Sequence, residues 1–137
     1  MANWLFKSEP GVWSWEMMKA KGKAGEEWTG IRNYQARNNM RLMKLGEKSF
    51  FYHSNEGKAV VGIVEVCKRA HRDSTSDVDT WECVDIRAVA EVPKLVTLDA
   101  IKLEPCLKDM VLVKNSRLSV QPVTAEEWKI ICAMGGV

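Results

Sequence analysis

Long apolar runs are missing from this chain. No stretch approaches the roughly 18 residues that a membrane helix needs, so no membrane partner is expected. Histidine is scarce, with only His53 and His71. The four cysteines, Cys67, Cys83, Cys106 and Cys132, are widely spaced and form no C-x-x-C. Zinc sites normally use close ligand pairs, so no metal and no other cofactor is expected. The thiols read as reduced, small apolar core residues. There is no Walker loop, no G-x-G-x-x-G, no G-x-S-x-G and no H-E-x-x-H, which removes the common nucleotide-binding and hydrolytic signatures. A basic leader with a cleavage site is also missing from Met1–Phe6, so a cytoplasmic location is expected, with nucleoid or nuclear association open. A large excess of one charge is absent as well. The net charge is +2 and the isoelectric point is near 8.3. A duplex binder relying on phosphate contacts alone would be more basic, so any nucleic-acid binding is expected to depend on a specific pocket more than on a large electrostatic footprint.

What is present is an ordinary globular composition, 46% hydrophobic and 28% charged, which excludes disorder. At 137 residues the chain is expected to be one domain, 1–137. That length buries roughly two-thirds of the extended-chain surface, enough for a core without staples.

The pattern predicts strands at Asn3–Lys7, Lys48–Ser54, Ala59–Arg69 and Trp81–Val92, with Pro93 ending the last, and brief strands at Met110–Val113 and Leu118–Val123. Along Trp81–Val92, period two puts Val84, Ile86, Ala88, Ala90 and Val92 on one face. Helices are predicted over Trp15–Lys21 with Ser14 as cap, over Tyr34–Lys44 between Asn33 and Gly46, over Leu98–Leu103 after Thr97, and after the T-x-x-E box of Thr124 and Glu127. Strands and helices alternate without regular βαβ spacing. The expected class is therefore α+β, with five or six mostly antiparallel strands, flanked by short helices, curled into a small twisted barrel. A helix-covered open sheet fits the periodicity equally well.

Polar and aromatic residues cluster at predicted strand ends, where scaffolds present binding sites. Lys7-Ser8-Glu9-Pro10 offers a cation, a hydroxyl and a carboxylate, or simply a solvated turn. Trp13, Trp15 and Trp28 lie close in sequence and read as core or as a ligand cage. Tyr52-His53-Ser54 and Arg117-Leu118-Ser119 could stack a base and bond its edge. Arg37, Arg41 and Lys44 share a helix face suited to solvent or to phosphates. Adjacent strand residues point oppositely, which argues against a catalytic Ser54–His53 pair. Glu9, Glu47 and Asp85 are the candidate acids, with nothing in the sequence to bring them together.

Six segments carry a family resemblance: WLFKSEP (Trp4–Pro10), WTGIRNYQARNNMR (Trp28–Arg41), FFYHSN (Phe50–Asn55), VGIVEV (Val61–Val66), WECVDI (Trp81–Ile86) and RLSVQPV (Arg117–Val123). In this order, over nearly the whole chain, they resemble the EVE domain, a PUA-like family related to the YTH domain. The resemblance implies a PUA-like barrel with a pocket for modified bases such as methylated or hydroxymethylated cytosine. It implies a lining of Lys7, Ser8, Glu9, Pro10, Trp28, Arg32, Asn33, Tyr52, His53, Ser54, Arg117, Leu118 and Ser119. Two positions depart from the family pattern: Glu47 replaces a common Asp, and Ala70-His71-Arg72-Asp73 replaces a Tyr-Pro-Asp-like loop.

The expected function is a non-catalytic, monomeric module that binds DNA or RNA carrying a modified base. The base would stack on Trp28 or Tyr52. Ser8, Asn33, His53 and Ser119 would bond its edge, and Arg32, Arg37, Arg41, Lys44 and Arg117 would hold phosphates. An enzyme acting on a nucleotide or nucleic acid, and a small-ligand or protein-interaction module, are the alternatives.

Overall fold

Alternation along the first strand separates two packing layers. Trp4 and Phe6 enter one apolar cluster, while Leu5 enters another, as a period of two requires. The computed structural model describes residues 2–137. The strands are β1 (Asn3–Ser8), β2 (Glu26–Glu27), β3 (Lys48–His53), β4 (Ala59–Arg72), β5 (Glu82–Thr97) and β6 (Val120–Val123). The helices are α1 (Trp15–Ala20), α2 (Tyr34–Leu42), α3 (Leu98–Leu103), α4 (Val111–Lys114) and α5 (Ala125–Gly135).

Helix starts follow side-chain chemistry. Ser14, Asn33, Thr97 and Thr124 accept hydrogen bonds from the backbone N–H of Met17, Ala36, Ala100 and Glu127, respectively. Each satisfies a donor that the first helical turn leaves orphaned. The Thr124–Glu127 box is reciprocal, because the Glu127 carboxylate accepts the Thr124 N–H at 2.9 Å.

The six strands form one sheet in the order β2-β5-β4-β3-β1-β6. Among the described residues only β1 and β3 run parallel, and the crossover a parallel pair requires is supplied by α1, β2 and α2. The α+β class with mostly antiparallel strands and short flanking helices therefore holds. The sheet does not close by hydrogen bonding: β2 and β6 are its two edges. It is nevertheless strongly curled. Trp28, just past β2, packs edge-on against Phe6 of β1 and Phe51 of β3, at 5.7 and 5.8 Å between ring centroids. Three strands separate β2 from β1 in the sheet, so these contacts exist only because the sheet wraps round.

The inner cluster holds Trp4, Phe6, Trp15, Trp28, Phe51, Met18, Met40, Val84 and Ile86. Trp15 lies on Gly62 so closely that a Cβ there would overlap its ring. The outer cluster holds Leu5, Phe50, Tyr52, Val60, Ile63, Val92, Ile101 and Ile131, covered by α3 and α5, with Phe50 stacked on Trp128 at 4.0 Å. Burial would raise the pKa of Glu47, but N–H groups of Lys44, Trp4 and Ala2 hydrogen-bond its carboxylate and leave it lowered. Glu47 thereby ties the entry of β3 to β1.

Several sequence-based expectations give way. Strand β5 runs through Pro93 to Thr97. Pro93 falls between the paired positions Glu91 and Val96, inside a bulge, where its missing N–H costs no ladder bond. A second irregularity skips Val89, so Ala88 packs on the inner cluster and Ala90 on the outer one. The predicted single face of β5 is therefore split. Met110–Val113 is not a strand, because Val111–Lys114 forms one helical turn. Helix α2 stops at Leu42 rather than Lys44. Gly46 (φ 82°) instead shapes the turn into β3 and donates its N–H to the Val66 carbonyl at 2.9 Å. Cys83 is buried, whereas Cys106 is exposed rather than in the core. Among the described residues, no helix is long and apolar enough to cross a membrane.

Candidate nucleic-acid interface

Two loops face each other at the rim of the inner layer. The first begins where β1 ends. Pro10-Gly11 turns the chain, and the Glu9 carbonyl accepts N–H groups of both Val12 and Trp13 at 2.9 Å. The Ser8 hydroxyl donates to the Trp13 carbonyl, locking Trp13 back against the strand end. The second loop leaves β2. Trp28 N–H donates to Val84 at 2.9 Å, and Thr29 N–H to Glu27 at 3.0 Å. Gly30, at a φ of 84°, then donates its N–H to the Asp73 carboxylate at 2.8 Å.

Between these loops lies a cavity of about 420 Å³, lined by Lys7, Ser8, Glu9, Val12, Trp13, Glu26, Glu27, Trp28, Thr29 and Ile31. That volume lies within the range of about 300–1,000 Å³ usual for small-ligand sites. Its walls combine two indoles and two aliphatic side chains with an ammonium, two hydroxyls and three carboxylates. The indole N–H groups of Trp13 and Trp28 are both buried and have no hydrogen-bond partner among the described residues. Buried donors are nearly always satisfied, so two orphans on one cavity are unusual. Burial lowers the pKa of Lys7, whose ammonium donates to the Ser116 carbonyl at 2.6 Å.

Asp73 anchors the second loop. Burial would raise its pKa, but hydrogen bonds from the Thr75 side chain, Gly30 N–H, Thr75 N–H and Arg32 bring it down to about 2. The Arg32 guanidinium lies 3.0 Å from the carboxylate.

Of the residues expected at the site, Lys7, Ser8, Glu9 and Trp28 line the cavity. Pro10 sits in the adjoining turn. Arg32 and Asn33 stand behind the wall, Arg32 on Asp73 and Asn33 as the α2 cap. Tyr52 is on the outer side. With Ser54 and Lys7 it lines a separate hollow of about 210 Å³ that also involves Asn55, Lys58, Leu98, Leu112 and Ser116. Burial, aided by Asp99, pushes the Tyr52 hydroxyl up to about 12. Nε2 of His53 accepts the Trp15 N–H at 3.0 Å, which requires that nitrogen to be unprotonated, and burial lowers the His53 pKa. Leu118 is core, the Ser119 carbonyl receives the Lys7 N–H at 2.9 Å, and Arg117 is exposed. Strand alternation thus divides Tyr52-His53-Ser54, which the sequence had grouped.

The basic helix face is also partly committed. Arg37 donates to the Thr80 carbonyl at 2.9 Å and lies over Tyr34 and Trp81, at 5.0 and 5.9 Å from their ring centroids. Arg41 pairs with Glu82. Lys44 lies beyond the end of α2. Of the candidate acids, Glu9 lines the cavity, Glu47 is committed to its three N–H donors, and Asp85 bonds His71.

Sequence reasoning overlooked Val12, Glu26, Glu27, Thr29 and Ile31, and left Trp13 undecided between core and cage. Val12-Trp13 did carry a signal, namely two apolar residues directly after a Pro-Gly turn. Glu26–Glu27 carried none, because a two-residue edge strand shows no period.

The EVE domain model matches residues 2–134. Thymocyte nuclear protein 1 of Homo sapiens is 36% identical over 165 aligned positions, covering 97% of this chain and 73% of that protein. A crystal structure of human THYN1 in complex with 5-methylcytosine-containing DNA superposes with a TM-score of 0.93 at 35% identity, covering 100% of this chain and 99% of that one. A protein of Agrobacterium tumefaciens reaches a TM-score of 0.97 at 62% identity, over 100% of this chain and 94% of that one. The YTH domain of Zygosaccharomyces rouxii MRB1, at 20% identity and a TM-score of 0.59 over 98% and 86% of the two chains, shares the fold. With its family model matched over nearly its full length, the chain belongs to the EVE domain family.

Proposed function

We propose that this protein is a non-catalytic, single-domain reader that takes a methylated cytosine of DNA into the cavity between Lys7–Trp13 and Glu26–Ile31. One observation carries the reading: two cavity-lining tryptophans keep buried indole N–H groups with no partner in the protein. A base supplies both what an indole ring stacks on and what an indole N–H bonds to. Human THYN1, crystallised with 5-methylcytosine DNA, supports the ligand class.

The energetics require both kinds of contact. Extruding a paired base costs a few kcal/mol, and stacking one base on an aromatic returns about 1–3 kcal/mol. A hydrogen bond from a buried donor adds about 1–3 kcal/mol at most, so stacking on one indole together with a hydrogen bond from the other can exceed the cost where stacking alone does not. Ser8 is already bonded to Trp13, so it shapes the wall. Glu9, Thr29 and Lys7 are the polar groups for the base edge. Arg37 and Arg41 have partners of their own, which leaves Arg117 and Lys44 as the more available phosphate contacts.

The test is a panel of matched duplexes carrying cytosine, 5-methylcytosine or 5-hydroxymethylcytosine, with RNA counterparts, titrated over a salt series. A modified-base preference of tenfold or more that persists as salt rises is expected. Equal affinity for all duplexes, lost together at moderate salt, would leave only phosphate attraction. Trp13→Ala should weaken modified-duplex binding by roughly 10–100-fold, the loss of about one stacked base.

A further inference from the structure

Beneath the second cavity loop, three side chains from three strands converge. Nδ1 of His71 lies 3.5 Å from Oε2 of Glu27, and Sγ of Cys83 lies 3.8 Å from the same oxygen. The three potential ligand atoms all fall within 4.8 Å of one another. None of this is local in sequence; it is built by register. His71 of β4 is the direct cross-strand partner of Cys83 of β5, and Glu27 of β2 is the partner of Asp85 of β5. Between the pairs Lys68–Asp85 and His71–Cys83, β4 spends three residues where β5 spends two. A bulge of that kind re-aims side chains.

We propose that Glu27, His71 and Cys83 form a zinc site, with Asp85 as the carboxylate that orients the histidine. Thiolate, imidazole and carboxylate are the ligand types Zn²⁺ takes, and three protein ligands plus water complete a tetrahedron. With Zn–S near 2.3 Å and Zn–N and Zn–O near 2.0–2.1 Å, tetrahedral angles place ligand atoms about 3.3–3.6 Å apart. The Nδ1–Oε2 separation of 3.5 Å already falls in that range and the Sγ–Oε2 separation of 3.8 Å lies just outside it, while the remaining pair is within 4.8 Å, a difference that side-chain rotation closes. Nε2 of His71 is 2.7 Å from Oδ1 of Asp85, the carboxylate–histidine arrangement that fixes tautomer and ring orientation at zinc sites. Nδ1 then faces Glu27, and its contact with the Arg72 carbonyl at 2.9 Å is exchanged for the metal. Glu27 is itself held by the Ser74 N–H at 3.1 Å and by the Ser74 hydroxyl. On binding, Cys83 releases its thiol proton and His71 keeps one proton, on Nε2. Asp73 is engaged with Arg32, so it is not an available ligand, and Lys68 is the cation that opposes the site.

The consequence is mechanical. Strand β2 pairs with β5 over only two residues, and Glu27 also lines the cavity. A metal at Glu27, His71 and Cys83 pins that edge strand, and with it one wall of the cavity, to β4 and β5.

The full chain, stripped of metal and kept reduced, is titrated with Co²⁺ as a spectroscopic substitute and then with Zn²⁺. Thiolate-to-cobalt charge-transfer and visible d–d bands saturating at one equivalent, and displaced by Zn²⁺, are expected. Zn²⁺ at a hundredfold excess over Kd should raise Tm by roughly 5–15 °C. Cys83→Ser should abolish the charge-transfer band, and Asp85→Asn should weaken metal binding by about 10–100-fold. Cys106→Ser should change nothing. Cys83 is buried, so its variant could fail to fold; His71→Gln, at a half-buried position, then carries the test and should remove one-equivalent binding. No band at one equivalent, or a band that survives His71→Gln or tracks Cys106, would overturn the site and leave His71 as a plain bridge between Glu27 and Asp85. No readout involves DNA, so the outcome is independent of the base-reading proposal.

Discussion

The inner and outer faces of the sheet are made by the same strands, yet they are different materials. On β3, Phe51 and His53 belong to the inner side, while Phe50 and Tyr52 belong to the outer. On the inner side Trp28 meets Phe6 and Phe51 edge-on, and a rim cavity keeps two unsatisfied donors. The outer side is mainly aliphatic and is sealed by α5 through the Phe50–Trp128 stack. Rigid aromatic rings at steep angles leave gaps between them, whereas branched aliphatic chains under a helix fill space. Both faces hold the fold, but the outer one is sealed whereas the inner one keeps a cavity at its rim.

The largest expected effect breaks the outer face alone. Phe50 is fully buried and stacked on Trp128, so Phe50→Ala should cost about 3–5 kcal/mol of stability. If the faces divide the labour, the protein that remains folded will bind modified duplex as before. Chemical denaturation, with affinity measured at low temperature, checks both halves. A loss of affinity well beyond the unfolded fraction would show that the faces are coupled.

Acid should act on the inner side instead. The Asp73 pKa is held at about 2, below the ordinary carboxylate value near 3.9. A depressed pKa contributes stability that is fully present above the unfolded value and is lost as pH falls through the folded one. The window is therefore pH 4 down to pH 2, and the amount is about 2–3 kcal/mol. Denaturant melts of the parent chain and Asp73→Asn should differ by this much at pH 7 and converge toward pH 2. A gap that stays constant with pH would mean that Asp73 acts through shape rather than charge.

This division was only half legible in the sequence. The four cap residues, the T-x-x-E box and the α+β class were readable because each rests on chemistry within a few residues. Pro93 misled because a bulge, invisible in one strand's pattern, makes a proline harmless. The β5 face misled for the same reason at Val89. The site was harder still. Lys7, Ser8, Glu9 and Trp28 stood out, but the opposing wall comes from Glu26–Ile31, where nothing periodic marks a two-residue edge strand. The grouping of Glu27, His71 and Cys83 was invisible in cysteine and histidine spacing, because the three are neighbours only through strand register, which sequence spacing does not express.

The smallest effect is the sharpest test of the comparison. Tyr52 looks like a base-stacking residue in the sequence, but it lies on the outer side with its hydroxyl pushed up to about 12 by burial. Tyr52→Phe keeps the ring and its packing and removes only an oxygen at the smaller hollow. Stability should stay within about 0.5 kcal/mol and modified-duplex affinity within about twofold, against the roughly 10–100-fold loss expected for Trp13→Ala. Among the described residues, Lys7 lines both cavities and so sits between the two hollows. A tenfold loss in Tyr52→Phe, measured by the same duplex titration, would therefore mean that the ligand reaches past Lys7 into the outer hollow. The site would then span both faces at the open ends of β1 and β3.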